Sequence, residues 1–278
     1  MTLRSAVSVR DALDGAVTAI GAGGSESPRL DAELLLADAL QTTRERLHTD
    51  PDAPVDGAAV RAFQSHVRRR SVDREPVAYI VGRRGFRRIE LAVDARVLIP
   101  RPETELLVEL ALALPPRARV LDCCCGSGAI ALALKDERPD LEVWGADIDP
   151  GAVAVAAANG ARLGLDVDWR QADLLCGLPA DFDAIVANPP YIERAAIAAL
   201  EPEISRHEPR QALDGGPSGL ETLARLIEQA SASAATLMLE HGQGQEHPVA
   251  ALCRAAGYTD VTHHRDLSQT ARAVRASR

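Results

Sequence analysis

The run Ala187-Asn188-Pro189-Pro190-Tyr191 carries the residue types best suited to chemistry in this sequence. Asn188 has a side-chain oxygen that accepts hydrogen bonds and an NH₂ that donates, while Pro189 and Pro190 present carbonyls with no competing N–H. Two acceptors held side by side suit a ligand bearing two N–H donors, and Tyr191 adds a flat face for stacking. The guest these groups predict is a planar NH₂. An Asn-Pro-Pro run is also an ordinary turn signal, so its position must decide between the two.

That position is the end of an apolar run, Phe182 to Ala187, which reads as a buried strand stopped by prolines that cannot continue a ladder. Three more features stand at strand ends upstream. Arg119-Val120-Leu121-Asp122 leads into the small-residue turn Cys125-Gly126-Ser127-Gly128 and then a helix, where backbone N–H groups can approach a polar ligand. The strand Glu142 to Asp147 ends in an acid 21 positions after Gly126, placed to take a ribose hydroxyl pair. Val167 to Arg170 runs on to Asp173, placed to accept from an adenine amino group. The ordered set reads as a nucleoside site. A dinucleotide site would want G-x-G-x-x-G, which the turn does not supply.

These strand ends must be held by a sheet. From Arg117 onward strands alternate with helices, at Ala129–Lys135, at Pro150–Leu163 and near Leu220. A strand Thr236 to Glu240, a helix His247 to Ala256 and a strand pair ending near Arg275 follow. Such alternation predicts an α/β fold with a mostly parallel sheet and helices on both faces. Ahead of it, Val9, Leu13, Ala16, Val17 and Ile20 recur at helical spacing, with Ser8 and Asp11 as a capping pair. Ser27-Pro28 opens a second helix, and Val60, Phe63 and Val67 mark a third. Tyr79-Ile80-Val81 and Ile89 to Val93 read as two strands of a hairpin joining this bundle to the sheet. The expected division is a helical domain over 1–74, a hairpin linker over 75–102 and the α/β domain over 103–278.

The chain has 278 residues, ample for one large and one small domain, and its 46% hydrophobic content is that of an ordinary globular protein. A net charge of -9 argues against broad nucleic-acid or anionic-membrane binding. Lys135 is the single lysine, which removes most lysine-based covalent chemistry. From Arg61 to Arg101 eleven arginines face four acids, a solvated face or a docking surface for an acidic partner. The five cysteines, three of them consecutive at Cys123-Cys124-Cys125, form neither a disulfide framework nor a zinc spacing, so no metal is expected. No apolar run has membrane-spanning length, and Met1 to Arg10 lacks a signal-peptide core, so a cytoplasmic location is expected.

The order of turn, acid, acid and Asn-Pro-Pro-Tyr resembles class I S-adenosylmethionine-dependent methyltransferases of Rossmann-like fold. Further motifs narrow the resemblance. Glu75-Pro76-Val77-Ala78-Tyr79-Ile80-Val81-Gly82, Val97-Leu98-Ile99-Pro100-Arg101-Pro102-Glu103-Thr104-Glu105, Glu208-Pro209 and Ala212-Leu213-Asp214-Gly215-Gly216 are similar to the release factor glutamine N5-methyltransferases. Asp31-Ala32-Glu33 and Asp266-Leu267 with Arg272 also fit. The likeness spans nearly the whole chain.

The resemblance implies S-adenosylmethionine as donor, S-adenosylhomocysteine as product, and class I peptide chain release factors as partner, with no direct nucleic acid, no membrane and a monomeric enzyme. It implies that the bundle helps to hold the release factor and that the loop holds the glutamine of its Gly-Gly-Gln motif. Donor contacts carried over by position are Cys124, Cys125, Gly126, Ser127, Gly128, Asp147, Asp173, Leu174 and Asn188. Substrate contacts are Asn188, Pro189, Pro190, Tyr191, Arg101, Glu103 and Thr104, the last two serving equally well as caps of a helix Glu105–Leu114. Cys124 stands where the family usually has Gly, and Leu174 where an aromatic residue is sometimes found. With Gly126 and Gly128 retained, the expectation is that a side chain at Cys124 is tolerated. Two other readings use the same residues: an adenine-N6 DNA methyltransferase, and a non-catalytic protein of the same fold that binds a partner through its bundle.

Overall fold

Ser8 caps the first helix, its hydroxyl accepting from the Asp11 N–H at 3.1 Å and donating to the Asp11 carboxylate at 2.7 Å. The computed structural model describes residues 7–278, so Met1–Ala6 of the stretch read above for a signal peptide lie outside it. The chain divides into two compact units: one runs to Gly82 and includes Glu201–His207, the other is Arg83–Leu200 with Glu208–Arg278. Among the described residues no helix is long and apolar enough to cross a membrane.

The first unit is helical: α1 (Val9–Ala22), α2 (Pro28–Ala39), α3 (Arg44–Thr49), α4 (Gly57–Ser71) and α5 (Val77–Val81). Leu13, Ile20, Leu35, Leu36, Phe63 and Ile80 form its core. Asp56 caps α4 by accepting from the Ala58 and Ala59 N–H groups at 2.8 and 2.7 Å. Tyr79-Ile80-Val81 is helical in α5, which corrects the strand expected there. The Pro76 carbonyl accepts from the Tyr79 and Ile80 N–H groups at 3.0 and 3.1 Å, and burial of both side chains outweighs the β preference of Tyr, Ile and Val. The short helix Pro202–His207, α9 in chain order, belongs to this unit. Its Glu203 accepts from Arg74 Nε and Nη2, each at 2.8 Å, and from Arg70, which also donates to Asp31 at 2.7 Å.

The second unit opens with the hairpin β1 (Arg83–Phe86) and β2 (Ile89–Ala92), turned at Arg87-Arg88. After the 3₁₀ turn Pro102–Thr104 come α6 (Glu105–Ala111), β3 (Arg119–Cys123), α7 (Ala129–Glu137), β4 (Glu142–Asp147), α8 (Pro150–Leu163), β5 (Asp168–Gln171) and β6 (Phe182–Ala187). Then follow α10 (Arg210–Leu213), α11 (Glu221–Ser233), β7 (Ala234–Glu240), α12 (Glu246–Ala255), β8 (Asp260–Arg265) and β9 (Ala271–Ser277). The seven strands lie in the order β5-β4-β3-β6-β7-β9-β8, and β9 alone runs against the rest. Leu121, Ile185 and Leu237 point to one face with Leu226, Ile227 and Val249 of α11 and α12, while Asp122 on the other accepts from the Ala131 N–H of α7. The chain reverses direction across the sheet between β3 and β6, which opens a crevice at their carboxyl ends.

Candidate active site

Sheet register assembles the site. Cys123 pairs with Ala146 on one side and Ala187 on the other, and Ala187 pairs with Leu239. The next residues in register are therefore Asp147 and Glu240, which end β4 and β7, and Cys124 and Asn188, which follow β3 and β6, side by side across β4-β3-β6-β7. A cavity of about 260 Å³ opens there, lined among others by Cys124, Cys125, Gly126, Ser127, Asp147, Asp173, Leu174, Asn188, Pro190, Arg101 and Thr104. Of the residues expected from the sequence, Gly128, Pro189, Tyr191 and Glu103 do not line it.

The turn after β3 is wound tightly around Asp147. The Gly126 N–H donates to Asp147 Oδ2 at 2.9 Å and the Asp149 N–H to Oδ1 at 3.0 Å. Each oxygen keeps a lone pair for a hydroxyl donor. Burial pushes the Asp147 carboxyl above its ordinary range, against the pull of these N–H groups. Gly128, at φ +82°, has no room for a Cβ, which would stand 2.8 Å from the Trp169 ring. Cys124 and Leu174 hold left-handed backbone at φ +63° and +55° despite their side chains. Such strain, of order 1–3 kcal/mol per residue, concentrates at functional sites. The Cys124 thiol is pushed well up by its hydrogen bond with Cys123 and by burial, and the Cys125 thiol by burial, so neither is a ready nucleophile.

Asp122, fully buried beneath the turn, is pushed up to about 8 by burial, and its Oδ1 has no partner among the described residues. Asp173 accepts from Arg225 at 2.8 Å, with both side chains about half exposed at the cavity mouth. Arg101 donates to both oxygens of the buried Glu208 at 2.7 Å, and burial pushes the Glu208 carboxyl up against that pairing.

At the end of β6, Asn188 Nδ2 donates to Thr104 Oγ1 at 3.1 Å, and the Thr104 hydroxyl donates to Glu240 Oε2 at 2.7 Å. The Tyr191 hydroxyl donates to Glu240 Oε1 at 3.0 Å. Thr104 makes no capping bond to α6, so the capping alternative for it does not hold. Tyr191 spends its hydroxyl on Glu240 instead of lining the cavity. Burial, with the Glu240 charge beside it, raises that hydroxyl far enough to keep it a donor. The sequence pattern singled out neither Glu240 nor Arg225. Glu240 carries a usable signal, an acid closing the apolar run Leu237-Met238-Leu239, as Asp147 closes its own strand. Arg225, on an exposed turn of α11, carries none.

Residues 11–82 match the family described as the PrmC N-terminal domain, and residues 102–216 the methyltransferase small domain. A release factor glutamine methyltransferase of Rhodospirillum rubrum is 41% identical over 96% of this chain and 84% of its own length. One of Caulobacter vibrioides is 42% identical over 90% of each chain. Among solved structures, a methyltransferase from Pyrococcus furiosus superposes with a TM-score of 0.52 at 16% identity, covering 67% of this chain and 87% of that one, a likeness of fold. Strand-end acids, a glycine turn and an Asn-Pro-Pro-Tyr loop on one crevice, with relatives this similar along nearly their whole length, settle the family: the chain belongs to the release factor glutamine methyltransferases.

Proposed function

We propose that this chain methylates the side-chain amide nitrogen of the glutamine in the Gly-Gly-Gln motif of class I peptide chain release factors, acting as a cytoplasmic monomer without direct nucleic-acid contact. The observation that carries this reading is the register Cys123↔Ala187, which brings the glycine turn and Asn188 to one cavity. The names of the relatives support the release factor as substrate. The net charge of -9 weighs against DNA as the substrate.

The residues present fit S-adenosylmethionine, the methyl donor of this family. Asp147 retains lone pairs for a ribose, Ile148 and Leu174 offer apolar wall, and a Cβ at Gly126 would meet nothing within 4 Å, leaving the backbone there open to a ligand. When bound, the donor supplies an electrophilic methyl on a sulfonium. The chain's part is to hold the acceptor. An amide nitrogen is a poor nucleophile because its lone pair is shared with the carbonyl, so direction matters most. In this reading Asn188 Oδ1, in the cavity lining, accepts one N–H bond and the carbonyl of the adjoining Pro189, outside that lining, accepts the other, which fixes the nitrogen and favours the positive charge it develops. Positioning of this kind reaches about 7–11 kcal/mol in well-oriented systems. The proton leaves the methylated amide cation readily, so no strong base is required.

The test is mass spectrometry of a purified class I release factor after incubation with this protein and S-adenosylmethionine. One added methyl on the Gly-Gly-Gln glutamine is expected, with turnover lowered about 10²-fold or more by Asn188→Ala. A methyl elsewhere, or turnover by the folded Asn188→Ala variant within about threefold of the parent, counts against it.

A further inference from the structure

Asn188 can serve as an acceptor only if its oxygen, and not its NH₂, faces the cavity. An amide side chain is nearly symmetric in shape, so something beyond packing must choose its direction. The choice is made by what lies behind it.

Glu240 is 2% exposed, and Thr104, at 4%, meets only the cavity. Burial raises the Glu240 carboxyl, while the Thr104 and Tyr191 hydroxyls that donate to its two oxygens favour its ionised form; Oε2, 2.7 Å from the Thr104 hydroxyl, accepts that hydrogen. The Thr104 oxygen then has only lone pairs to offer Asn188, and the group it meets at 3.1 Å must be the NH₂. Oδ1 is left toward the cavity with no partner among the described residues.

The carboxylate is itself a fixed reference. Its other oxygen takes the Tyr191 hydroxyl, and the Tyr191 backbone is pinned on both sides. Gln245 Nε2 donates to the Tyr191 carbonyl at 3.0 Å, and the Ile192 N–H and carbonyl bond to Leu213 and Gly215 at 3.0 and 2.9 Å. A Cβ at Gly215 would lie 2.7 Å from Tyr191 Cα, so the glycine of the Asp214-Gly215-Gly216 motif is what lets the two backbones meet.

We propose that Thr104 and Glu240 are positioning residues of the methyl-transfer site: the carboxylate sets the direction of the hydroxyl, and the hydroxyl sets which end of the Asn188 amide faces the acceptor. This rests on the reading of Asn188 given above. In this role both act through the Asn188 amide. Their effect is on the fraction of molecules whose amide faces the right way, so it falls on turnover and not on donor binding.

The experiment measures methyl transfer to a purified class I release factor, with S-adenosylmethionine affinity by calorimetry and thermal midpoints for every variant. Thr104→Val keeps the shape and removes the hydroxyl, and about tenfold to a hundredfold loss of kcat is expected, with release-factor KM and donor Kd each within about threefold. Thr104→Ser, which restores the hydroxyl, is expected within about threefold of the parent. In an Asn188→Ala background the Thr104→Val change should add less than about twofold, because the amide it orients is gone. If Thr104→Val does not fold, Thr104→Ala, which adds no bulk, takes its place in the same comparisons.

A Thr104→Val enzyme with more than about a third of parental kcat overturns the proposal, and so do losses that multiply in the double variant. Should Asn188→Ala itself leave turnover within about threefold, the reading of Asn188 fails and takes this inference with it. A large effect of Asn188→Ala with none of Thr104→Val refutes the inference alone.

Discussion

Glu203 holds the segment Glu201–His207 in the helical unit, and removing its charge tests that strap. Its side chain is 12% exposed and sits between Arg74 and Arg70, the latter 9% exposed and shared with Asp31. Burial by itself would raise the carboxyl, but the hydrogen bonds from Arg74 and Arg70 prevail and hold it down from 4.5 to about 2. Each tenfold in proton affinity is worth about 1.4 kcal/mol, so the ionised group contributes about 3 kcal/mol to the fold near neutrality. The sign follows from the depressed value: the contribution is complete above the unfolded pKa and is lost as pH falls from about 4.5 through about 2. Glu203→Gln should therefore lower stability by about 3 kcal/mol at pH near 7, and the gap from the parent should close across that acid window. Urea unfolding followed by circular dichroism reads the helices. Tryptophan fluorescence reports the α/β unit, since the two tryptophans, Trp144 and Trp169, both lie in it. A gap below about 1 kcal/mol at neutrality, or one indifferent to pH, would refute the reasoning, because a solvated ion pair behaves that way.

Two further outcomes follow from the turn after β3. Asp122, pushed up to about 8, is neutral in the fold while its unfolded counterpart ionises near the ordinary 3.8, so its stability contribution is full at low pH and drains as pH rises toward 8. Thermal unfolding of Asp122→Asn beside the parent should show the variant gaining by up to about 1.4 kcal/mol per pH unit over that rise, and a constant difference would contradict it. At Cys124, relief of left-handed strain by Cys124→Gly, about 1–2 kcal/mol, is largely offset by the chain entropy of glycine, about 0.5–1 kcal/mol. Stability should shift by no more than about 1 kcal/mol and donor affinity in calorimetry by less than about tenfold; a hundredfold tightening would mean that the thiol obstructs the donor.

What the sequence reveals of this site is its backbone. Each of Asp147, Cys125 to Gly128 and Asn188 ends or follows an apolar run, and a parallel sheet sends every such run to the same edge. Side-chain meetings are another matter. Thr104 and Glu240 are 136 positions apart and touch because the last residue of the 3₁₀ turn Pro102–Thr104 meets the last residue of β7. The excess of arginine between Arg61 and Arg101 misleads for the same reason. Arg70 and Arg74 share Glu203, Arg87 meets Glu137 and Glu109, and Arg101 meets Glu208, so much of the excess is balanced by acids distant in sequence. Tyr79-Ile80-Val81 looks like a strand because propensity is local, whereas its burial in the bundle is not.

Glu240 shows how much further the pattern reaches. It closes Leu237-Met238-Leu239 as Asp147 closes its own strand, yet an acid before His241 at a strand end is commonplace in isolation. Topology removes the isolation. With β3 and β6 central, the strands beside them are β4 and β7, so the residues closing those two must flank the glycine turn and the Asn188 loop. One flank, Asp147, lines the cavity and accepts from the turn. The other, Glu240, stands behind the Asn188 loop and accepts from Thr104 and Tyr191. In the reading proposed above, the two flanking acids divide the work: Asp147 receives hydroxyls of the donor, and Glu240, through Thr104, decides which way the Asn188 amide points.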